Sequence, residues 1–433
     1  MKKNHIDLIT LGCSKNLVDT EKLMYQLKVA GYTVAHDAEN PTGEIVVINT
    51  CGFIGDAKEE SIDMILAFAE KKKKRKINKL FVMGCLSQRY LQELAIEIPE
   101  VDKFYGKFNY TDLLKELGKE YRFDCSLQRT ITTPMHYSYI KISEGCNRTC
   151  SYCAIPLITG KHQSRKIEDI EEEVRWLVKQ GVKEFQLIAQ DLSYYGLDNY
   201  KKHKLAELTN RLADIDGVKW LRLHYLYPVD FPMDVLNVMR ERDNVCNYLD
   251  IALQHISDNM LKKMRRGISS QQTYDLIRQI REQVPGIHIR TTMLLGHPGE
   301  TDEDVEALKE CVRTMRFERL GAFAYSDEEA TYSNKHYVDN IPYEIKQQRV
   351  DEIMKIQQQI SLEHNQAKIG KNFKVIVDSL QGDYYVARSE YDSPEVDMEI
   401  LLKAEKNHLQ IGEFYTATII GAEEFDLYAE IIK

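Results

Sequence analysis

Apolar residues in this chain come in short, widely spaced blocks. The first 125 residues hold three, Ile6–Leu11, Ile45–Ile48 and Leu80–Met83, each followed by a helix-length stretch: Leu17–Ala30, Ala57–Lys74 and Gln88–Ile98. Unbroken apolar runs suit strands covered on both faces, and strand–helix alternation predicts a parallel, doubly wound sheet. From about residue 131 the alternation quickens. Strands are expected at Tyr139–Ser143, Glu184–Ala189, Trp220–His224, Tyr248–Ala252, Ile287–Met293 and Leu320–Ala324, separated by amphipathic segments such as Ile167–Gln180 and Asp302–Met315. Six βα units fall short of the eight of a closed barrel, so a partial (β/α)6 barrel is expected. After the helical stretch Tyr343–Ile369 the period changes again, with short β-rich runs and turn signals at Gln381-Gly382 and Ser393-Pro394. That pattern predicts a small antiparallel β-barrel. The fold class is therefore α/β, with expected domains at 1–125, 131–363 and 366–433.

Composition narrows the setting. No apolar run reaches the ~20 residues that a membrane helix needs. The opening "MKKNHIDLIT" lacks the long apolar stretch and cleavage site of a secretion signal. A cytoplasmic chain without membrane contact is expected. Nine cysteines in 433 residues, an odd number, argue for reduced thiols used in ligation rather than for a disulfide scaffold. The formal net charge of -9 argues against a general nucleic-acid binder. From Ala367 to Lys433, seven Lys/Arg face thirteen Asp/Glu. Phosphate binding needs cations to displace counterions, so this end repels RNA and suits a basic protein. The basic run "KKKKRK", Lys71 to Lys76, reads as a solvated helix end, with an RNA or ribosome contact as the alternative.

The densest chemical signal is "EGCNRTCSYCAIP", which spaces Cys146, Cys150 and Cys153 as C-x3-C-x2-C just after the first strand of the predicted partial barrel. Thiolates are the usual ligands of iron–sulfur clusters, and three of them leave one iron of a cubane open for a small molecule. Zinc would need a fourth ligand, for which His162 is the candidate, but the C-x3-C half fits zinc poorly. Three further cysteines share a setting. Cys13 in "DLITLGCSKN", Cys51 in "EIVVINTC" and Cys85 in "LFVMGC" all lie just past predicted parallel strands. The C-terminal ends of such strands share one edge, where ligands bind. Position alone leaves two readings: a second cluster, or small buried thiols of the kind common near strand ends. Cys125, Cys246 and Cys311 do not share this setting and read as structural. Gln190 and Arg290 are expected to end or follow strands on the active edge.

The C-x3-C-x-aromatic-C pattern, with Tyr152 before the third cysteine, resembles that of the radical S-adenosylmethionine enzymes. "LGCSKN", "NTCGFI" and "GCLSQRY" resemble the N-terminal domain of one branch, the methylthiotransferases, and the terminal barrel resembles their TRAM domain. The resemblance implies two 4Fe–4S clusters. One, on Cys146, Cys150 and Cys153, would cleave S-adenosylmethionine to a radical with an electron from an external donor. The auxiliary one, on Cys13, Cys51 and Cys85, would carry the sulfur to be inserted. The loop "LLGHPGE" with Gly296 is similar to an element near S-adenosylmethionine, and Gln190 and Arg290 are further candidates for touching it. No catalytic acid or base is assigned. Local motifs, "LIAQDLSYYG", "RLHYLYP" and "LDIALQHISDNMLKKMRRG", resemble the subgroup that modifies an aspartate β-carbon of ribosomal protein S-twelve, free or in the small ribosomal subunit. The alternative is the subgroup acting on a tRNA adenosine. Ser14, Thr159 and His297 depart from the first subgroup's usual Pro, Arg and Phe.

Overall fold

The structure, a computed structural model, describes residues 2–38, 40–107, 109–406 and 408–432. Strands β1 (Lys2–Thr10), β2 (Thr33–His36), β3 (Gly43–Thr50), β4 (Lys79–Gly84) and β5 (Lys103–Phe104) form a sheet in the order β2-β1-β3-β4-β5. Every pairing in it is parallel. Alternate residues of β3 explain the unbroken apolar pattern. Ile45 and Val47 pack with Leu23, Met24 and Leu27 of the helix Ser14–Val29, while Val46 and Ile48 pack with Ile65 and Phe68 of the helix Gly55–Lys73. Both faces are covered, as parallel sheets require. The short strands β2 and β5 escape the apolar-run criterion because each sits at a sheet edge and is only partly buried.

Beyond these lie β6 (Tyr137–Lys141) and two very short strands, β7 (Ser143–Glu144) and β8 (Gln163–Ser164), which pair antiparallel. Then follow β9 (Glu184–Ile188), β10 (Trp220–Leu226), β11 (Val245–Ile251), β12 (His288–Leu295) and β13 (Arg319–Ala324). The six longer strands make a sheet in the order β13-β12-β11-β10-β9-β6, with parallel pairing from β9 through β13. This is the expected open (β/α)6 sheet.

The last strands, β14 (Asn372–Gln381), β15 (Tyr384–Ser389), β16 (Glu399–Lys403), β17 (Phe414–Ala422) and β18 (Asp426–Ile431), close a barrel in the order β14-β15-β16-β18-β17. Its pairings are antiparallel except β16 with β18, which is parallel. An odd ring of five strands cannot alternate direction all the way round, so one parallel pair is unavoidable.

Contacts group the residues into two compact units. The first comprises Met1–Thr133, Tyr139–Arg148 and Cys153–Trp176; the second comprises Pro134–Ser138, Thr149–Tyr152 and Leu177–Lys433. In the first, buried ion pairs explain the grouping: Arg129 meets Glu21 at 2.6 Å and Glu173 at 3.0 Å, and Tyr25 meets Trp176 edge-on. In the second, Glu184 of β9 receives Arg388 of β15 at 2.8 Å and Arg222 of β10 at 3.1 Å, which fastens the small barrel to the open sheet. Among the described residues, no helix is long and apolar enough to cross a membrane.

Candidate metal and cofactor site

Cys51 and Cys85 directly follow β3 and β4, and Cys13 caps the helix Ser14–Val29 three residues after β1. The three chain segments are in close contact. A Cβ at Gly12 would sit 2.8 Å from the Cys51 sulfur, and one at Gly52 would sit 2.6 Å from the Leu86 backbone. Gly12 also adopts φ +90°, which a side chain would strain.

The buried Asn16 ties the three segments together. Its amide donates to the Leu11 and Thr50 carbonyls, both at 3.0 Å, and its Oδ1 lies 3.5 Å from the Cys85 thiol that donates to it. Ser61 fixes Cys51 from the other side, donating to its carbonyl and accepting from its N–H.

The thiols are electrostatically unequal. Cys13 is the solvent-accessible one. Crowding around it opposes ionisation, but Lys15, the Asn16 N–H and Lys107 outweigh that and hold it below the usual thiol value. Burial pushes Cys85 up to about 12, and the charges of Cys13 and Cys51 add to the rise. Burial likewise raises Cys51. Two reluctant thiols and one willing one suit metal ligation, because a bound cation supplies the charge that deprotonates them.

The C-x3-C-x2-C loop spans the gap between β7 and β8. A Cβ at Gly145 would lie 2.2 Å from the Lys161 carbonyl oxygen, and the Cys146 N–H donates to the Gly160 carbonyl at 3.1 Å, so the base of the loop is cinched backbone to backbone. His162 sets its Nε2 3.0 Å from the Ser164 hydroxyl. Among the described residues, no three His, Cys, Asp or Glu side chains converge as a single metal ion would need.

Within the first unit, Cys85 also has apolar neighbours. Cys85 packs in a small buried cluster with Ala154 and Ile158, immediately after Cys153. Nearby, Lys107 pairs with Glu144 at 2.9 Å and lies 3.9 Å from Asp19, while Lys141 pairs with Glu144 at 2.7 Å and with Asp19. Although burial opposes it, Lys141 and Lys107 hold the Glu144 carboxyl down at about 2.

In the second unit, Cys150 accepts from Arg266 at 3.1 Å and lies 3.6 Å from the Tyr227 hydroxyl. Ser151 bonds His297 at 3.0 Å, and the Ser333 N–H donates to the Ser151 carbonyl at 2.7 Å.

The remaining candidates stand differently. Gln190 follows β9 as expected. Arg290 is the third residue of β12, near its start rather than at the C-terminal edge expected of it, and it pairs with Asp397 of the segment before β16. The strand runs from His288 to Leu295, longer at its C-terminal end than the Ile287–Met293 pattern. Gly296 directs its N–H at the Glu300 carboxylate, at 2.9 and 3.0 Å, and the space a side chain would fill there holds Lys346. Asn16, Lys107 and Arg266 carry no assignment in the sequence reading; Asn16 and Arg266 sit inside the quoted stretches "LGCSKN" and "LKKMRRG", but hydrogen-bond direction has no sequence signature. Cys246 and Cys311 are buried away from these groups, Cys246 beside Trp220 and Tyr248.

Residues 5–106 match the family described as uncharacterized protein family UPF0004, residues 140–312 the radical SAM superfamily, and residues 369–432 the TRAM domain. The chain is 64% identical to a protein of Bacteroides thetaiotaomicron named ribosomal protein uS12 methylthiotransferase RimO, over 100% of this chain and 99% of that one. The chain belongs to the RimO family of methylthiotransferases. Relatives of the same name in Phocaeicola vulgatus and Flavobacterium johnsoniae are 63% and 52% identical, covering 100% and 99% of this chain and 100% and 98% of theirs. Among solved structures, the radical S-adenosylmethionine methyltransferase TsrM of Kitasatospora setae aligns with TM-score 0.54 and 16% identity, covering 74% of this chain and 72% of that one. The cobalamin-dependent radical enzyme OxsB aligns with TM-score 0.51 and 13% identity, covering 81% and 56%. At these identities the likeness is one of fold alone.

Proposed function

We propose that this chain adds a methylthio group to the β-carbon of an aspartate in ribosomal protein uS12, using S-adenosylmethionine and two 4Fe–4S clusters. The observation that supports the two-cluster reading is Asn16, which accepts from the Cys85 thiol and donates to the carbonyls of Leu11 and Thr50 in the segments that carry Cys13 and Cys51. Cys146, Cys150 and Cys153 would hold the first cluster, and Cys13, Cys51 and Cys85 the auxiliary one. Held by these cysteines, such clusters would supply one-electron reduction of S-adenosylmethionine and a metal site able to carry sulfur.

The protein's own part is placement and exclusion of water. Asn16 and Ser61 orient the auxiliary thiols, while the backbone clasp at Gly145 and Gly160 fixes the base of the radical loop. Ala154 packs against Cys85 in a small buried apolar cluster with Ile158. Residues 1–125 would carry the auxiliary cluster, 131–363 the radical chemistry with Gln190 near the cofactor, and 366–433 an acidic face for a basic protein substrate. The electron comes from an external donor, and the work is done beside ribosomes in the cytoplasm.

The test is an anaerobic assay of the reconstituted chain with purified uS12, small ribosomal subunits and tRNA in parallel. A methylthio mass gain on the uS12 peptide is expected, with none on tRNA adenosine. The reverse result would assign the chain to the tRNA-acting alternative. Zinc without iron after anaerobic preparation would remove both.

A further inference from the structure

Arg266 is 3% exposed. Its Nη1 donates to the Cys150 sulfur at 3.1 Å and to the Tyr152 hydroxyl at 3.2 Å, its Nη2 donates to the carbonyl of Ala252 at the exit of β11, and its guanidinium carbon stacks 4.1 Å from the Tyr227 ring centroid. Tyr227 in turn donates to the Arg266 carbonyl at 2.9 Å. Among the described residues no carboxylate pairs with Arg266, although a buried guanidinium is costly without an anion. Its Nε is buried with no hydrogen-bond partner. A cation enclosed by two tyrosines, a carbonyl and a cysteine sulfur, with one donor to spare, is built for an anion on the cysteine side.

We propose that Arg266 is the counter-cation of the Cys150 sulfur: a positioning residue that sets the reduction potential of the cluster on Cys146, Cys150 and Cys153. This rests on the reading that those cysteines hold a cluster. A hydrogen bond and a positive charge at a ligating sulfur favour the reduced state, which carries one more negative charge, and so raise the potential. Arg266 does this from the open sheet, because Ala252 and Tyr227 hold it at the ends of β11 and β10. The guanidinium cannot lose its charge at any working pH, so the bias is permanent.

The experiment uses the full chain with Cys13, Cys51 and Cys85 all replaced by Ala, so that only one cluster contributes. About four irons per chain in that background tests the ligand reading by itself; none would sink that reading before Arg266 is touched. Arg266→Gln and Arg266→Lys are then compared by iron content, electron paramagnetic resonance and potentiometric titration. Arg266→Gln should keep its iron but show a roughly tenfold lower ratio of reduced to oxidised cluster at a fixed ambient potential, about 59 mV for a one-electron couple. Arg266→Lys, which keeps the charge and loses the fork, should recover most of that shift. An unchanged midpoint potential in Arg266→Gln with full iron would overturn the proposal. Loss of the cluster from both variants in a folded chain would overturn it too, making Arg266 an assembly residue.

Discussion

Cys85 and Ala154 share one buried apolar cluster with Ile158, so a thiol of the N-terminal sheet packs against the residue that follows the last cysteine of the C-x3-C-x2-C loop. Ala154 is fully buried. Ala154→Leu should overpack the contact and cost about 1–3 kcal/mol. The expected outcome is a lower thermal midpoint and lost methylthiolation of uS12, with iron binding and S-adenosylmethionine cleavage less affected. Equal loss of cleavage and insertion would mean that the contact serves folding only.

Asn16 reaches all three auxiliary segments. Asn16→Ala leaves the Leu11 and Thr50 carbonyls without that donor, a cost of about 1–3 kcal/mol. Reconstituted protein should then hold about four irons per chain rather than about eight, as the auxiliary set fails to assemble. Asn16→Asp keeps the shape but not the donor and should fail in the same way. Colorimetric iron and mass spectrometry of the protein check both.

Cys13→Ala separates the two halves of the chemistry. It should spare cleavage of S-adenosylmethionine to deoxyadenosine and abolish sulfur insertion. Chromatography of the deoxyadenosine, beside the mass of the uS12 peptide, reads both in one reaction. Loss of cleavage as well would point to a folding role for Cys13.

His297 is fully buried, between the Ser151 and Ser333 hydroxyls at 3.0 and 3.3 Å, with its Nδ1 3.2 Å from the Pro298 carbonyl. Burial is the main cause that lowers its pKa to about 4. The folded chain therefore keeps it neutral, while the unfolded chain protonates it near pH 6.5. Its contribution to stability is full above that value and is lost as pH falls toward 4. From pH 7 to pH 5 the loss is about 2 kcal/mol. His297→Phe should flatten this part of the pH–stability curve, measured as the thermal midpoint across that range.

Much of this was readable from pattern. Val46 and Ile48 facing one helix and Ile45 and Val47 the other is the physical content of an unbroken apolar run, and it forecast a parallel sheet with thiols at its C-terminal edge. The terminal β-rich runs predicted a small antiparallel barrel, and the one parallel pair, β16 with β18, emerged only when five strands closed the ring. Arg290 misled because a strand's ends depend on where its neighbours stop, not on its own residues. Asn16 and Arg266 were silent because a polar side chain inside a motif looks the same whether it meets solvent or a sulfur.

The sequence by itself determined the fold class, the three-cysteine loop and the strand-end setting of Cys13, Cys51 and Cys85, since spacing and hydrophobic period are local properties of the chain. Only the tertiary structure decided that Asn16 meets the Cys85 thiol, which buried cation faces Cys150, and that Cys85 packs with Ala154. Those are contacts between residues tens to more than a hundred positions apart, selected by packing and by the need of every buried donor and charge for a partner.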